Sequence, residues 1–180
     1  MESKELTIVI VTFKSDEKII NCLKSISYNI PVIVVENSDN KNFKNKIENI
    51  FTNVNCILAG ENKGYATANN IGLKSVKTKY ALVLNPDTIL DKDAIKFFFN
   101  AKEQIKDFWL IGPANNQIIN FNENDSNFKE VNNLKGFAIF LNLSKFKQDY
   151  FDENFFLFFE EIDLCRRVKK KKEKFIYIRI

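Results

Sequence analysis

The chain has 180 residues, 45% of them apolar and 28% charged, enough for one domain with a buried core and too short for two comfortable ones. It contains no histidine, which excludes histidine–metal centres, serine–histidine–aspartate triads and any histidine general base. The net charge of +4 is local: Arg166 to Lys174 holds seven basic residues against one acid, so the rest of the chain is slightly acidic.

The first residues, "MESKEL", place acids ahead of an apolar run that ends too early for a signal peptide. "LTIVIVTF" (6–13) is a β-branched run of the kind found in strands covered on both faces. Ser15, Asp16 and Glu17 suit a helix start, and Ile19, Ile20, Leu23 and Ile26 fall on one helical stripe. "PVIVVENS" (31–38) predicts a second buried strand, and "NCILAGENKG" holds a short third one. "YATANNIGLKSV" (65–76) predicts a helix, and "YALVLNPD" a fourth strand. Asp91 is placed to cap a helix running through Ile95, Phe98, Phe99 and Ile105.

"FWLIG" follows as a strand, and residues 115–133, with eight asparagines, predict a long polar loop or lid. "LKGFAIFLN" (134–142) is strand-like again. From about Glu160 the "FDENFFLFFEEIDLCRRVKKK" stretch becomes helical, and its aromatics read as core and site wall. "KFIYIRI" predicts a last strand whose bare apolar edge invites pairing with another chain, hence a homodimer. No window reaches the ~18 apolar residues of a membrane span. Three cysteines without CxxC spacing read as reduced, buried thiols of a cytoplasmic protein. The basic run reads as a solvated helix face or, more sharply, as a peripheral contact with the inner face of a membrane through residues 166–174. Without interleaved aromatics it does not predict nucleic-acid binding.

Alternating strands and helices over roughly the first 110 residues predict an α/β fold with a mostly parallel central sheet and helices on both faces. Ligands of such sheets collect beyond the carboxyl ends of the strands. Three polar clusters occupy that position: Thr12-Phe13-Lys14-Ser15, Glu36-Asn37-Ser38-Asp39 and Asn85-Pro86-Asp87-Thr88. Each alone is an ordinary strand-end turn. The three together, with Gly64 and the Asn69-Asn70 pair between them, predict a site.

The segments "TIVIVTFKS", "VVENSD", "ENKGYATANNIGL", "LNPDT" and "FDENFFLFFEEIDLCRR", in this order and spacing, resemble the family 2 glycosyltransferases of the GT-A fold, nearest to the rhamnosyltransferase-like branch. The resemblance implies one domain over 1–180, with a nucleotide-binding half to about residue 90 and an acceptor and catalytic half from 91. It implies an inverting glycosyltransferase of polysaccharide biosynthesis, taking a nucleotide-diphospho-sugar such as dTDP-rhamnose and a glycan or lipid-linked acceptor.

By the same resemblance, Thr12, Phe13 and Glu36 hold the nucleoside, while Asn62, Gly64, Tyr65 and Asn70 line the nucleotide pocket. Gly64 suits a positive φ or a close backbone approach, and the helix after it is expected to offer free N–H groups to an anion. "NPDT" resembles the family's variant of the DxD motif, so Asp87 is the expected ligand of Mg²⁺ or Mn²⁺, with Pro86 stiffening the turn and Asn85 bonding the donor. Glu161, then Glu160, then Asp163 are the candidate general bases, and Gly136 and Phe137 open the strand beneath sugar and acceptor.

Three departures stand out. Lys14 replaces the usual asparagine, Glu-Glu replaces Glu-Asp, and the chain stops at Ile180, short of a continuation in which many relatives carry a histidine. These raise the alternative of a truncated, non-catalytic nucleotide-sugar-binding or partner subunit. A sugar nucleotidyltransferase is excluded because "VTFKSDEK" lacks a glycine-rich phosphate loop.

Overall fold

The computed structural model describes residues 4–105, 107–114, 128–147, 150–171 and 175–178. Its strands are β1 (Leu6–Thr12), β2 (Val32–Glu36), β3 (Val54–Leu58), β4 (Tyr80–Leu84), β5 (Leu110–Pro113), β6 (Phe128–Glu130), β7 (Ala138–Asn142) and β8 (Phe175–Ile178). Its helices are α1 (Asp16–Ser25), α2 (Lys41–Ile50), α3 (Gly64–Ser75), α4 (Ala94–Gln104) and α5 (Glu160–Lys170). One sheet runs in the order β3-β2-β1-β4-β7-β5-β8-β6. The first four strands of that order are parallel; β7 is antiparallel to both neighbours, β5 and β8 are parallel, and β6 is antiparallel to β8. The expected α/β sheet, mostly parallel, is present.

Every residue of β1 is buried because helices cover both faces, which is why its sequence is continuously β-branched rather than alternating. Leu6, Ile8 and Ile10 join Ile19 and Leu23 of α1, Phe43 and Ile47 of α2, and Phe98 and Phe99 of α4. Val9 and Val11 point the other way, into a core with Ala66, Ala68 and Leu73 of α3 and Leu164, Cys165 and Val168 of α5. The α3 contact is unusually close: a Cβ on Gly72 would lie 2.5 Å from Cγ1 of Val9. Phe140 of β7 stacks on Tyr80, Phe98 and Phe108 with centroids 5.3 to 5.8 Å apart, tying the antiparallel strand to the parallel half. Cys22, Cys56 and Cys165 are buried free thiols, as expected.

Several elements differ from the sequence expectation. Helix α2 is not anticipated at all, because lysine and asparagine dominate it and only Phe43 and Ile47 are buried. Its start is nevertheless well made, since the Asn40 side chain accepts the Phe43 N–H at 3.0 Å. α4 begins at Ala94, while Asp91 forms the preceding turn and accepts the Asp93 N–H at 3.2 Å. Of the expected polar loop, residues 115–127 lie outside the described residues, and Phe128–Glu130 is strand β6. That strand corrects a second expectation. β8 is not an open edge, because β5 and β6 flank it, so the bare edge expected there is absent from the described residues. Lys172 to Lys174 of the basic run lie outside the described residues. No described helix is long and apolar enough to cross a membrane.

Candidate active site

β4 delivers the chain to Asn85, whose N–H donates to the Phe137 carbonyl at 2.9 Å. The Thr88 N–H returns to the Asn85 carbonyl at 3.1 Å, closing a four-residue turn with Pro86 at its favoured second position. Asp87 therefore projects from a stiff corner. Its side chain is 55% exposed, and Lys18 stands 4.0 Å away as a solvent-screened partner. The negative charge of Asp87, behind the larger effect of burial, helps push the Cys22 thiol up to about 12.

The Tyr65 hydroxyl donates to Asn85 Oδ1 at 2.8 Å and lies 3.5 Å from the Gly136 carbonyl. Burial pushes this hydroxyl's pKa upward, and the charges of Glu160, Glu161 and Asp87 add to the rise, while Asn69 Nδ2 donates to the Tyr65 backbone carbonyl at 2.9 Å. The Glu161 side chain lies along Gly136, with its Cδ 3.6 Å from where a Cβ would sit. Tyr65, Asn85, Asp87, Gly136, Glu160 and Glu161 form one cluster where β4 and β7 meet the start of α5.

The three acids of α5 have different surroundings. Glu160 is 6% exposed and its Oε2 has no partner. Burial raises its pKa, its own backbone N–H opposes the rise, and the neighbouring charge of Glu161 adds to it. Glu161 is half-buried beside Gly136. Asp163 accepts Arg167 Nε at 2.7 Å, and Arg167 also donates to the Tyr150 carbonyl. That pairing makes Asp163 part of the helix's internal bracing.

The entry to α3 corrects another expectation. Lys63 N–H donates to Asn37 Oδ1 at 3.0 Å, Gly64 N–H to Asn62 Oδ1 at 3.2 Å, and Tyr65 N–H to the Phe156 carbonyl at 2.7 Å. These successive N–H groups face internal acceptors, so they are not free for an anion. Gly64 has φ +78°, and a Cβ there would come within 2.4 Å of the Phe156 carbonyl, so both expected reasons for glycine hold. Asn37, which the sequence marks only as part of a polar cluster, is the builder of this corner: its Nδ2 donates to Asn62 Oδ1 at 2.9 Å and to the Gly64 carbonyl at 3.3 Å.

The nucleoside candidates lie at the ends of β1 and β2. Thr12 is buried with its hydroxyl unpartnered, a polar atom that a ligand could satisfy. Phe13 is exposed, and the Lys14 ammonium lies over its ring at 5.2 Å. Glu36 is buried and already accepts the Ser38 hydroxyl at 2.7 Å and the Asn40 N–H at 3.0 Å. Asn70 is brought elsewhere: it clamps the Phe151 backbone in both directions, at 2.8 and 3.0 Å, and donates to Glu153 at 2.9 Å. A cleft of about 570 Å³ lined by Lys14, Ser15, Asp16, Glu17, Lys18 and Asn40 lies beside these groups without being lined by any of them; Lys18 reaches Asp87 at 4.0 Å and the Asn40 N–H donates to Glu36 at 3.0 Å. A second cavity, about 550 Å³ between the end of α1 and the start of α4, holds none of these residues.

The aromatics of "NFFLFF" divide. Phe155 packs on the core, whereas Phe156, Leu157, Phe158 and Phe159 are 54 to 68% exposed, so the expectation of core fails for them. Phe158 and Phe159 also take the left-handed conformation, φ +70° and +72°.

As a metal site, Asp87 offers a hard, exposed carboxylate oxygen, but no group of three acidic, cysteine or histidine ligands exists among the described residues. The donor set fits a Mg²⁺- or Mn²⁺-like ion shared with a substrate's phosphates, since such ions need only one or two protein carboxylates.

A parallel sheet that switches to antiparallel at β7, with an acid on the turn after β4 and an acid-led helix later in the chain, fits the GT-A class of sugar-transferase folds. The solved mannosyltransferase PcManGT of Pyrobaculum calidifontis, in complex with GDP-Man and Mn²⁺, superposes with a TM-score of 0.72 at 10% identity, over 97% of this chain and 55% of its own. TarS of S. aureus (1–349) in complex with UDP gives 0.70 at 16% identity, over 98% and 60%.

The chain belongs to glycosyl transferase family 2, whose sequence profile matches residues 7–166. It is 28% identical to the low-salt glycan biosynthesis hexosyltransferase Agl10 of Haloferax volcanii over 194 aligned residues, 93% of this chain and 62% of that one. It is 33% identical over 103 residues to a teichoic acid poly(glycerol phosphate) polymerase of Staphylococcus epidermidis, 52% of this chain and 14% of that one. The chain spans about three fifths or less of these relatives' lengths.

Proposed function

We propose that the chain transfers a sugar from a nucleotide-diphospho-sugar to a hydroxyl of a glycan or lipid-linked acceptor during glycan assembly, with inversion at the anomeric carbon. The geometry that supports this reading is the Tyr65 hydroxyl, bonded to Asn85 at the head of the Asp87 turn and 3.5 Å from the carbonyl of Gly136, along which Glu161 lies, together with family membership over residues 7–166. The donor-binding half extends to about residue 90, and residues from 91 supply the acceptor side.

Thr12 and Phe13 face the nucleoside, and Glu36 holds the loop that shapes the pocket through Ser38 and Asn40. Tyr65 fixes the Asn85 carboxamide oxygen, leaving its NH₂ for the donor. Asp87 would hold the divalent ion. That ion, when bound, neutralises charge growing on the departing diphosphate. Glu161 takes the proton of the acceptor hydroxyl as its oxygen bonds to the anomeric carbon and the bond to the diphosphate breaks. Glu160 is buried beside it, and that burial raises its own pKa. Gly136 keeps this wall free of a side chain where Glu161 lies. dTDP-rhamnose is the first donor to try, because the sequence motifs lie nearest the rhamnosyltransferase-like branch. An acceptor at an anionic membrane surface suits the exposed Arg166, Lys169, Lys170 and Lys171.

Nucleoside diphosphate release with a donor panel, in Mg²⁺ or Mn²⁺, tests the reading. Turnover that falls in Asp87→Ala and Glu161→Gln supports it. Equal turnover in both variants overturns the site assignment, and donor binding without turnover favours the non-catalytic subunit.

A further inference from the structure

Four consecutive large apolar side chains, Phe156 to Phe159, are more than half exposed. Two of them hold a left-handed backbone that phenylalanine adopts only at a cost. The segment is anchored at one end by the Phe156 carbonyl on the Tyr65 N–H and at the other by α5. Along the outer face of α5, Ile162, Arg166, Lys169 and Lys170 follow at helical spacing, the three basic residues exposed. Lys169 is steadied by Asn132 at 2.6 Å, and Lys171 lies 4.9 Å from the Trp109 ring centroid. The surface therefore grades within one helix from aromatic to strongly basic.

We propose that this surface docks on an anionic lipid bilayer, with Leu157 and Phe158 entering the acyl boundary and the α5 cations lying among the headgroups. Positive charge selects an anionic partner, and aromatic side chains are at home in the membrane interface. Their combination is the signature of interfacial binding. The contact sets Glu160 and Glu161 of α5 at the membrane surface, so the acceptor is a lipid-linked one. That last step rests on the transferase reading, whereas the membrane contact does not.

The experiment uses vesicles of phosphatidylcholine alone and with added phosphatidylglycerol. The whole chain is expected to sediment with the anionic vesicles, and both Leu157→Ser/Phe158→Asn and Lys169→Glu/Lys170→Glu to bind them about tenfold less or weaker still. The removed side chains are exposed, and asparagine accepts the left-handed backbone, so the first variant keeps its fold. Phe158→Trp is expected to shift its emission to the blue on anionic vesicles, against a Trp109 that is buried throughout. An unshifted emission overturns the proposal. So does vesicle binding that ignores the Leu157/Phe158 change, or the finding that this change merely splits a dimer with no vesicle affinity. Diphosphate release onto a lipid-linked acceptor dispersed in neutral detergent separates the two readings. Its absence despite vesicle binding sinks the transferase alone, and its presence without vesicle binding sinks the membrane contact alone.

Discussion

Two helices begin at the candidate site, and their beginnings are built in opposite ways. α3 starts on a glycine, and its Lys63, Gly64 and Tyr65 N–H groups all donate to acceptors within the protein. α5 starts after two left-handed phenylalanines and carries a buried glutamate with an unpartnered oxygen. The first is a scaffold whose entering N–H groups are answered. The second holds strain and unsatisfied charge in the place where chemistry is proposed, and such costs collect at functional sites. The difference separates residues that hold the site from residues that react in it.

The largest effect tests the reactive side. Glu161→Gln keeps shape and removes the basic oxygen, so turnover is expected to fall by about 10² to 10⁴, with donor affinity unchanged in calorimetry. A loss of donor affinity with little loss of turnover would move Glu161 to the scaffold.

Gly64→Ala tests the scaffold. The added methyl would meet the Phe156 carbonyl at 2.4 Å on a backbone at φ +78°, so a loss of about 2–3 kcal/mol is expected in denaturant unfolding. Because Phe156 is pressed on this glycine, the same change should loosen the segment leading into α5. An unaltered stability would mean the two helix starts are not mechanically joined.

How far the sequence showed this contrast can be argued residue by residue. β1 and β4 were legible because a strand buried on both faces must be apolar throughout, and few other elements are. Gly64 was legible because glycine before a helix has few uses. Asn37 was not, since an asparagine in a strand-end turn looks the same whether it faces water or ties Asn62 to Gly64. α2 was hidden by its solvent face: seven of its ten residues are lysine, asparagine or glutamate. The exposure of Phe156 to Phe159 was misread because composition says that aromatics prefer a core but not whether a core has room for them. The open edge at β8 failed for a similar reason, as the covering strand β6 comes from a polar stretch with little strand character.

The strain at α5 gives a smaller prediction. Phe158→Asn places a residue that tolerates the left-handed region where φ is +70°, in a side chain that is 68% exposed. A gain of about 0.5–1 kcal/mol is expected, read as a higher denaturant midpoint at an unchanged slope. A loss instead would show that the exposed ring is packed in solution.

Glu160→Gln is expected to stabilise the protein with a characteristic pH dependence. Burial raises the folded-state pKa of Glu160 above its ordinary 4.5, so the fold holds its proton more tightly than the unfolded chain does. Below 4.5 both states are protonated and the carboxyl costs nothing. As pH rises past 4.5 the unfolded chain ionises first, and the fold loses stability until the folded pKa is also passed. The glutamine variant escapes that loss. Its advantage, on the order of 1 kcal/mol or less, should be present at neutral pH and vanish in acid, where thermal melts of the two proteins coincide. An advantage equal at both pH values would assign the effect to packing and return Glu160 to the scaffold. A stability gain accompanied by a weakened acid limb in the pH–rate profile would place it with Glu161, as the neighbour whose reluctance to ionise tunes the base.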